Sequence, residues 1–259
     1  MVELTSEESK RAMLGILKSI ADFCSSNNIN YSLAYGTLIG AIRHKGFIPW
    51  DDDIDIIMMR EDYERFISLY KDEDERYAIV DGSCNINHSH IRVADKKTVL
   101  KLDAWRAQFY NDGLWVDVFP VDRVPDSQKG YLKFKKWLWF LFEMQLSGEV
   151  HRKGFINRII YAICKPVSAY FGKRALKTME KYNSKNTNSI ATLSLWYLHF
   201  PKFPLVYMEE FIDVEFEGYK FKAISQYDSF LRLCYGDYMQ FPPKEEQVPH
   251  HTYTAYWSE

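Results

Sequence analysis

The sequence predicts an α+β chain, with a mixed layer of short strands and amphipathic helices followed by a mostly helical annex. Three observations predict it. Apolar residues recur at helical spacing behind a capping signal near the N-terminus. Short apolar runs that carry isolated aspartates have strand character. From about Gly130 to Tyr182 the pattern changes to long helices rich in lysine, arginine and aromatics. The division falls near residue 125, with an α/β core over 1–125. An annex and a C-terminal segment that packs back on the core occupy 126–259.

The elements follow in order. Thr5 and Glu8 have capping-box spacing, and Met13, Ile16, Leu17, Ile20 and Phe23 follow at helical intervals. A first helix therefore runs to the Asn27–Asn28 pair. Tyr31 to Tyr35 reads as a buried strand ending at Gly36-Thr37, with a short helix over Leu38–Ile42 and the basic loop RHKGF behind it. Asp53 to Met58 has strand character, and Tyr63, Phe66, Ile67 and Tyr70 mark a second amphipathic helix. Further strands are expected at Ala78–Val80, Ile91–Ala94 and Leu114–Phe119. The tail from Pro201 is punctuated by proline and tyrosine, and no internal repeat is visible.

Composition narrows the function classes. Of 259 residues, 47% are apolar and 26% charged, the ordinary globular range, and the net charge of −2 gives no global field for nucleic acid. Cys24, Cys84, Cys164 and Cys234 lie far apart without a CxxC pair, which argues against a zinc ribbon and for free thiols in a reducing compartment. The first residues lack the apolar stretch of a secretory signal, and the run Trp137–Phe142 is too short to span a bilayer, so a cytoplasmic protein is expected.

The stretch Gly36 to Ile56, GTLIGAIRHKGFIPWDDDIDI, carries the chemistry. Side chains alternate along a strand, so Asp53 and Asp55 share a face, roughly 6–7 Å apart along the backbone, while Ile54 and Ile56 point into the core. Asp51 has the same parity but sits nearer the Pro49 turn, and Asp52 should face away. Paired carboxylates on a rigid strand suit a hard cation such as Mg²⁺, and phosphoryl transfer needs such a site. Asp117, alone in the apolar run LWVDVF, is the third expected ligand of a two-ion site, because a buried carboxylate requires a cation or donor. Asp103 and Asp122 are weaker candidates with loop-like neighbours. Gly36 and Thr37, where a strand meets a helix, offer backbone N–H groups to a phosphate, and Arg43, His44 and Lys45 suit the phosphates of a donor. A solvated acidic loop is the bland alternative. An EF-hand calcium loop fails where it needs glycine, since Ile56 stands there. The RHK triplet also reads as a solvated turn, and His250-His251 as surface residues or as metal or acceptor contacts.

At these residues the chain closely resembles the LicD family of phosphocholine and polyol-phosphate transferases, and is more distantly similar to fukutin and fukutin-related protein. The motifs are YGTLIGAIRHKGFIPWDDDIDI and GLWVDVFPVD, supported by FEGYKF and FLRLCYGDYMQFPP. The resemblance implies a polymerase-β-like nucleotidyltransferase fold, with catalytic metal ligands at Asp53, Asp55 and Asp117 and Mg²⁺, or Mn²⁺ in its place, as the ion. It implies a CDP-alcohol donor, CDP-choline foremost, whose phosphoalcohol passes to a hydroxyl of a glycan or teichoic-acid precursor as CMP leaves. Gly36, Thr37, Arg43 and Lys45 then hold the donor. Lys133, Lys135, Lys136, Trp137 and Trp139 of the annex suggest a peripheral contact with a lipid-linked acceptor at the inner membrane face, against plain helix packing with a solvated basic side. Rival readings are glycerol- or ribitol-phosphate transfer, true nucleotidyl transfer with pyrophosphate release, and a non-catalytic calcium- or nucleotide-binding module. Choline would call for aromatic faces, with Trp50, Trp115, Tyr253, Tyr256 and Trp257 as candidates.

Overall fold

The computed structural model describes residues 1–72, 75–81, 89–102, 113–150, 154–195, 201–249, 251 and 253–258. The chain runs β1 (Val2–Glu3), α1 (Ser6–Ser26), β2 (Ser32–Leu33), α2 (Tyr35–Arg43), β3 (Asp55–Met59), α3 (Arg60–Leu69), β4 (Tyr77–Asp81), β5 (Ile91–Asp95), β6 (Thr98–Leu102) and β7 (Trp115–Val124). It continues through α4 (Gln128–Glu149), α5 (Phe155–Cys164), α6 (Ser168–Met179), β8 (Ser189–Ala191), β9 (Phe203–Pro204), β10 (Phe211–Phe216), β11 (Tyr219–Ile224), α7 (Tyr227–Tyr235) and β12 (Tyr253–Trp257). This is the expected α+β class.

Helix α1 starts where the capping box places it. The Thr5 hydroxyl accepts from the Glu8 N–H at 3.2 Å while the Glu8 carboxylate accepts from the Thr5 N–H at 2.8 Å, satisfying two donors that the first turn leaves open. Its apolar stripe of Met13, Ile16, Leu17 and Ile20 is buried. The central sheet has the order β2-β3-β7-β5-β4, with β8 added to the far half of β7 and β9 to β8. Strands β3 and β7 are parallel; the other pairs are antiparallel. Ile54, Ile56, Ile57 and Met58 are fully buried, and because successive strand residues point to opposite faces, β3 is covered on both.

Two hydrophobic clusters divide the interior. The larger draws residues from Leu4 to Ala255, so β10, β11, α7 and β12 pack with the N-terminal elements. The smaller joins Val124 and α4 to Ala175, Met179, Ala191 and Leu193. Hairpin β10–β11 turns at Glu217 and Gly218, both at positive φ (51° and 76°), as a tight two-residue turn demands. Strand β12 lies between β1 and β6, antiparallel to each.

Asp122 joins the two clusters. Its neighbours form strand β7 and not a loop, and its fully buried carboxylate takes both branches of Arg60 at 2.9 and 2.7 Å and the Asn183 amide at 2.6 Å. Asn183 in turn accepts from the Arg123 N–H at 2.7 Å. A carboxylate so satisfied is a strut between layers. Asp103 lies outside the described residues. Removing the carboxylate with Asp122→Ala leaves the mostly buried Arg60 with only the exposed Glu64, 3.2 Å away, as its ionic partner and should cost about 3–5 kcal/mol of unfolding free energy, read from urea denaturation; a loss under about 1 kcal/mol would show that the strut contributes little.

Candidate active site

The register of the parallel pair sets the site. Asp55 on β3 stands directly opposite Asp117 on β7, and Asp117 stands opposite Arg92 on β5. Residues in register on adjacent strands project to the same face, so Asp55, Asp117 and Arg92 form one row across three strands. The Asp117 N–H also donates to the Ile54 carbonyl at 2.9 Å, which carries the pairing one residue beyond β3.

Strand β3 begins only at Asp55. Residues 51–54 are a loop, and the strict alternation expected there does not hold. Asp52 does not turn away: its carboxylate accepts from the His251 N–H at 2.9 Å and meets His251 Nδ1 at 3.2 Å, while Asp53 lies 3.8 Å from the same nitrogen. Donor atoms of Asp52, Asp53 and His251 all lie within 4.8 Å of one another. Asp51 is buried, its Oδ2 has no hydrogen-bond partner, and it occupies the space a Gly36 side chain would need, 2.8 Å from where a Cβ would sit. Gly36 thus admits the carboxylate by having no side chain.

Electrostatics separate the carboxyls. Burial pushes Asp51 up to about 6, against a hydrogen bond to Asp53. Burial, then the charge of Asp51, pushes Asp53 up to about 8. Asp55 rises well above its ordinary value through burial and the charges of Asp53 and Asp117. Asp117 goes the other way. Burial alone would raise it, but the Arg92 charge and the hydrogen bonds from His90 (3.1 Å) and Arg92 (2.7 Å) hold it well below the carboxylate range. The Trp115 indole N–H donates to its other oxygen at 2.8 Å. His251, which burial would lower, is held above its ordinary value by the Asp52 hydrogen bond and the Asp53 charge. Positive partners therefore gather on Asp117 (Arg92 and His90) and on Asp52 (His251), and the oxygens of Asp51, Asp53 and Asp55 are in excess, a set suited to a hard cation.

The other expected site residues have definite places. The Thr37 hydroxyl accepts from the Asp55 N–H at 2.8 Å, so it fixes the start of β3. Arg43 donates to the carbonyls of Tyr238 (2.7 Å) and Gln240 (3.3 Å) and to His44 Nε2 (2.9 Å), and its guanidinium lies over the Phe241 ring. It anchors the segment after α7 on α2. Lys45 is exposed at φ 59°, its carbonyl accepting from the Glu217 N–H at 2.8 Å. His250 lies outside the described residues. That His90, Arg92 and Trp115 hold Asp117 was not foreseen, Trp115 having been expected only as a choline contact. A lone arginine in IRVAD, mirroring the lone aspartate in LWVDVF, was the available signal.

Comparison with known proteins gives the family. A family model described as the LicD/FKTN/FKRP nucleotidyltransferase domain matches residues 28–151, which contain Asp51, Asp53, Asp55, Arg92 and Asp117. The lipopolysaccharide cholinephosphotransferase LicD of Haemophilus influenzae is 32% identical over 263 aligned residues, covering 99% of each chain. The chain belongs to the LicD family. Shorter matches join this LicD-family chain to two uncharacterised rickettsial proteins. That of Rickettsia typhi is 43% identical over 24% of this chain and 20% of its own, and that of Rickettsia prowazekii 49% identical over 18% of each.

The raised carboxyls set a pH dependence. In the folded chain they keep protons that the unfolded chain releases above about pH 4, so unfolding free energy falls as pH rises from about 4 to about 8. Thermal unfolding in chelator should show this fall. Asp53→Asn should flatten it, and millimolar Mg²⁺ should raise the midpoint more at pH 8 than at pH 5. A flat profile in the parent protein would contradict the buried cluster.

Proposed function

We propose that this chain transfers phosphocholine from CDP-choline to a hydroxyl of a cell-surface glycan, a lipopolysaccharide or teichoic-acid precursor, with release of CMP in the cytoplasm. The observation that carries the reading is the row Asp55–Asp117–Arg92 beside Asp51 and Asp53, in a chain similar along its whole length to a lipopolysaccharide cholinephosphotransferase. Nucleotidyl transfer with pyrophosphate release is the competing reaction for such a site.

Asp53, Asp55 and Asp117 would hold Mg²⁺, or Mn²⁺ in its place, in a two-ion site. The unpartnered Asp51 oxygen fits such ions, and the converging group of Asp52, Asp53 and His251 adds an imidazole nitrogen beside the carboxylates. When bound, they offset the charge on the transferring phosphoryl oxygens. The acceptor oxygen forms the new bond to phosphorus, the bond to the bridging oxygen breaks, CMP leaves with the electron pair, and the hydroxyl proton is released. Asp117 is assigned to charge stabilisation and not to proton transfer, because His90, Arg92 and Trp115 keep its carboxylate a weak base. Gly36 and Thr37 shape the wall beside the donor, and Lys45, exposed on the loop, is placed for its phosphates.

Choline as cargo draws support from the aromatics. Trp115 and Tyr253 meet His251 with ring centroids 5.5 and 6.3 Å away, and Trp50 meets Phe241 at 6.0 Å just before Asp51. Trp115 and Phe241 each already carry a guanidinium, Arg92 at 4.3 Å and Arg43 at 4.6 Å from the ring centre, which leaves Trp50 and Tyr253 as the better candidates for a quaternary ammonium.

The test is a donor panel of CDP-choline, CDP-glycerol and CDP-ribitol with Mg²⁺ and native acceptor extract. CMP should appear with CDP-choline. A preference for CDP-glycerol or CDP-ribitol would replace the cargo, and pyrophosphate release from CTP would replace the reaction. Asp53→Asn and Asp55→Asn should each lower turnover more than about a hundredfold without loss of fold.

The basic loop gives a separate outcome. Lys45→Ala should raise the donor KM with little change in kcat, whereas Arg43→Ala should also lower the melting temperature because it releases the 238–241 segment. An unchanged donor KM in Lys45→Ala would make that residue part of a solvated turn.

A further inference from the structure

Helix α5 is amphipathic in the reverse sense. At about 100° per residue, Phe155, Ile159, Ile163, Ile156 and Ile160 fall on one arc of about 140°, an unbroken apolar stripe. In α1 the equivalent stripe is buried. In α5 it faces outward: Phe155 is 77% exposed, Ile156 72%, Ile163 65%, Ile159 46% and Ile160 41%, and the buried residue of the helix is Cys164, about 40° beyond the Ile160 edge of the stripe. Five large apolar side chains on one exposed helical face are a surface awaiting a nonpolar phase.

Charge says which phase. Between Glu149 and Glu180 the chain has seven lysines and arginines and no aspartate or glutamate, although its net charge is −2. Arg158 and Lys165 are exposed on and just after the helix, with the Lys165 ammonium over the Tyr161 ring at 5.3 Å. An apolar stripe in a stretch whose only charges are positive is the chemistry of an interfacial helix on an anionic bilayer. Among the described residues no helix is long and apolar enough to cross a membrane, so the contact is a lateral one.

We propose that the outward face of α5 seats this protein on a bilayer carrying anionic headgroups, with Phe155, Ile156, Ile159, Ile160 and Ile163 entering the acyl boundary and the neighbouring basic residues meeting the headgroups. The inference stands apart from the transfer reaction, since it needs neither a donor nor a metal.

Sedimentation with vesicles of phosphatidylglycerol and phosphatidylcholine tests it on the full chain. The parent protein should partition to them at least about tenfold more than to pure phosphatidylcholine vesicles, and added salt should weaken the binding. The double variant I159E/I163E, at exposed positions, should keep the parent melting temperature and CMP release with a soluble acceptor while losing at least about tenfold in partitioning. Arg158→Glu should lose less and chiefly at low salt, a second readout should the double variant fold poorly. Absence of partitioning in the parent protein, or equal partitioning of parent and both variants, would overturn the proposal. So would a dimer in gel filtration that the same substitutions dissolve without any vesicle binding.

Discussion

The structure turns on the confinement of like charge. Asp51, Asp53, Asp55 and Asp117 are brought together where water is scarce, and burial raises the first three while Arg92 and His90 hold the fourth ionised. Uncompensated buried carboxylates are unfavourable, so the surrounding parts have to hold them there. The parallel ladder fixes Asp55 against Asp117, Thr37 holds the Asp55 amide, Gly36 makes room for Asp51, and the His251 N–H bonds to Asp52. The isoleucines below give the loop a rigid floor.

Much of this frame was legible in the sequence. Thr5 and Glu8 announce α1 because a capping box is local, and the bonds it predicts close within three residues. Asp55 and Asp117 were readable because each is a charge inside an apolar run, an exception that burial makes informative. What could not be read is what lies across the sheet. Which strand neighbours β7, and therefore that Arg92 opposes Asp117, depends on register and order, which no local pattern encodes. Asp52 was misread for a related reason: alternation applies only inside a strand, and β3 starts three residues later. Arg43 looks like a phosphate ligand from its neighbours, yet carbonyls nearly two hundred residues downstream take its donors. Strands β10, β11 and β12 went unmarked although they are no shorter than β4 and β5, because the prolines and tyrosines around them read as a wrapping tail.

The annex follows other rules than the core. Val124 ends β7 and begins the second hydrophobic cluster, and the Arg60–Asp122–Asn183 network ties the two together at that point. Tyr131, Phe134, Leu138, Leu141 and Phe142 of α4 fill the cluster in the ordinary amphipathic way. Helix α5 departs from it, and composition hides the departure: an isoleucine-rich helix reads as a core helix unless one knows which side its neighbours occupy.

The contact of His251 with Asp52 joins residues 199 positions apart, and β12 reaches it only by inserting between β1 and β6. Closing so long a loop is slow in entropic terms, and contacts of this span form after the local ones. During synthesis the earlier strands can pair and α1 can pack long before residue 251 has left the ribosome. The acidic loop would spend that interval without its histidine, open and charged. The loop therefore gains its histidine only after residue 251 has emerged and β12 has paired with β1 and β6, and until then Asp52 and Asp53 lack the imidazole that meets them.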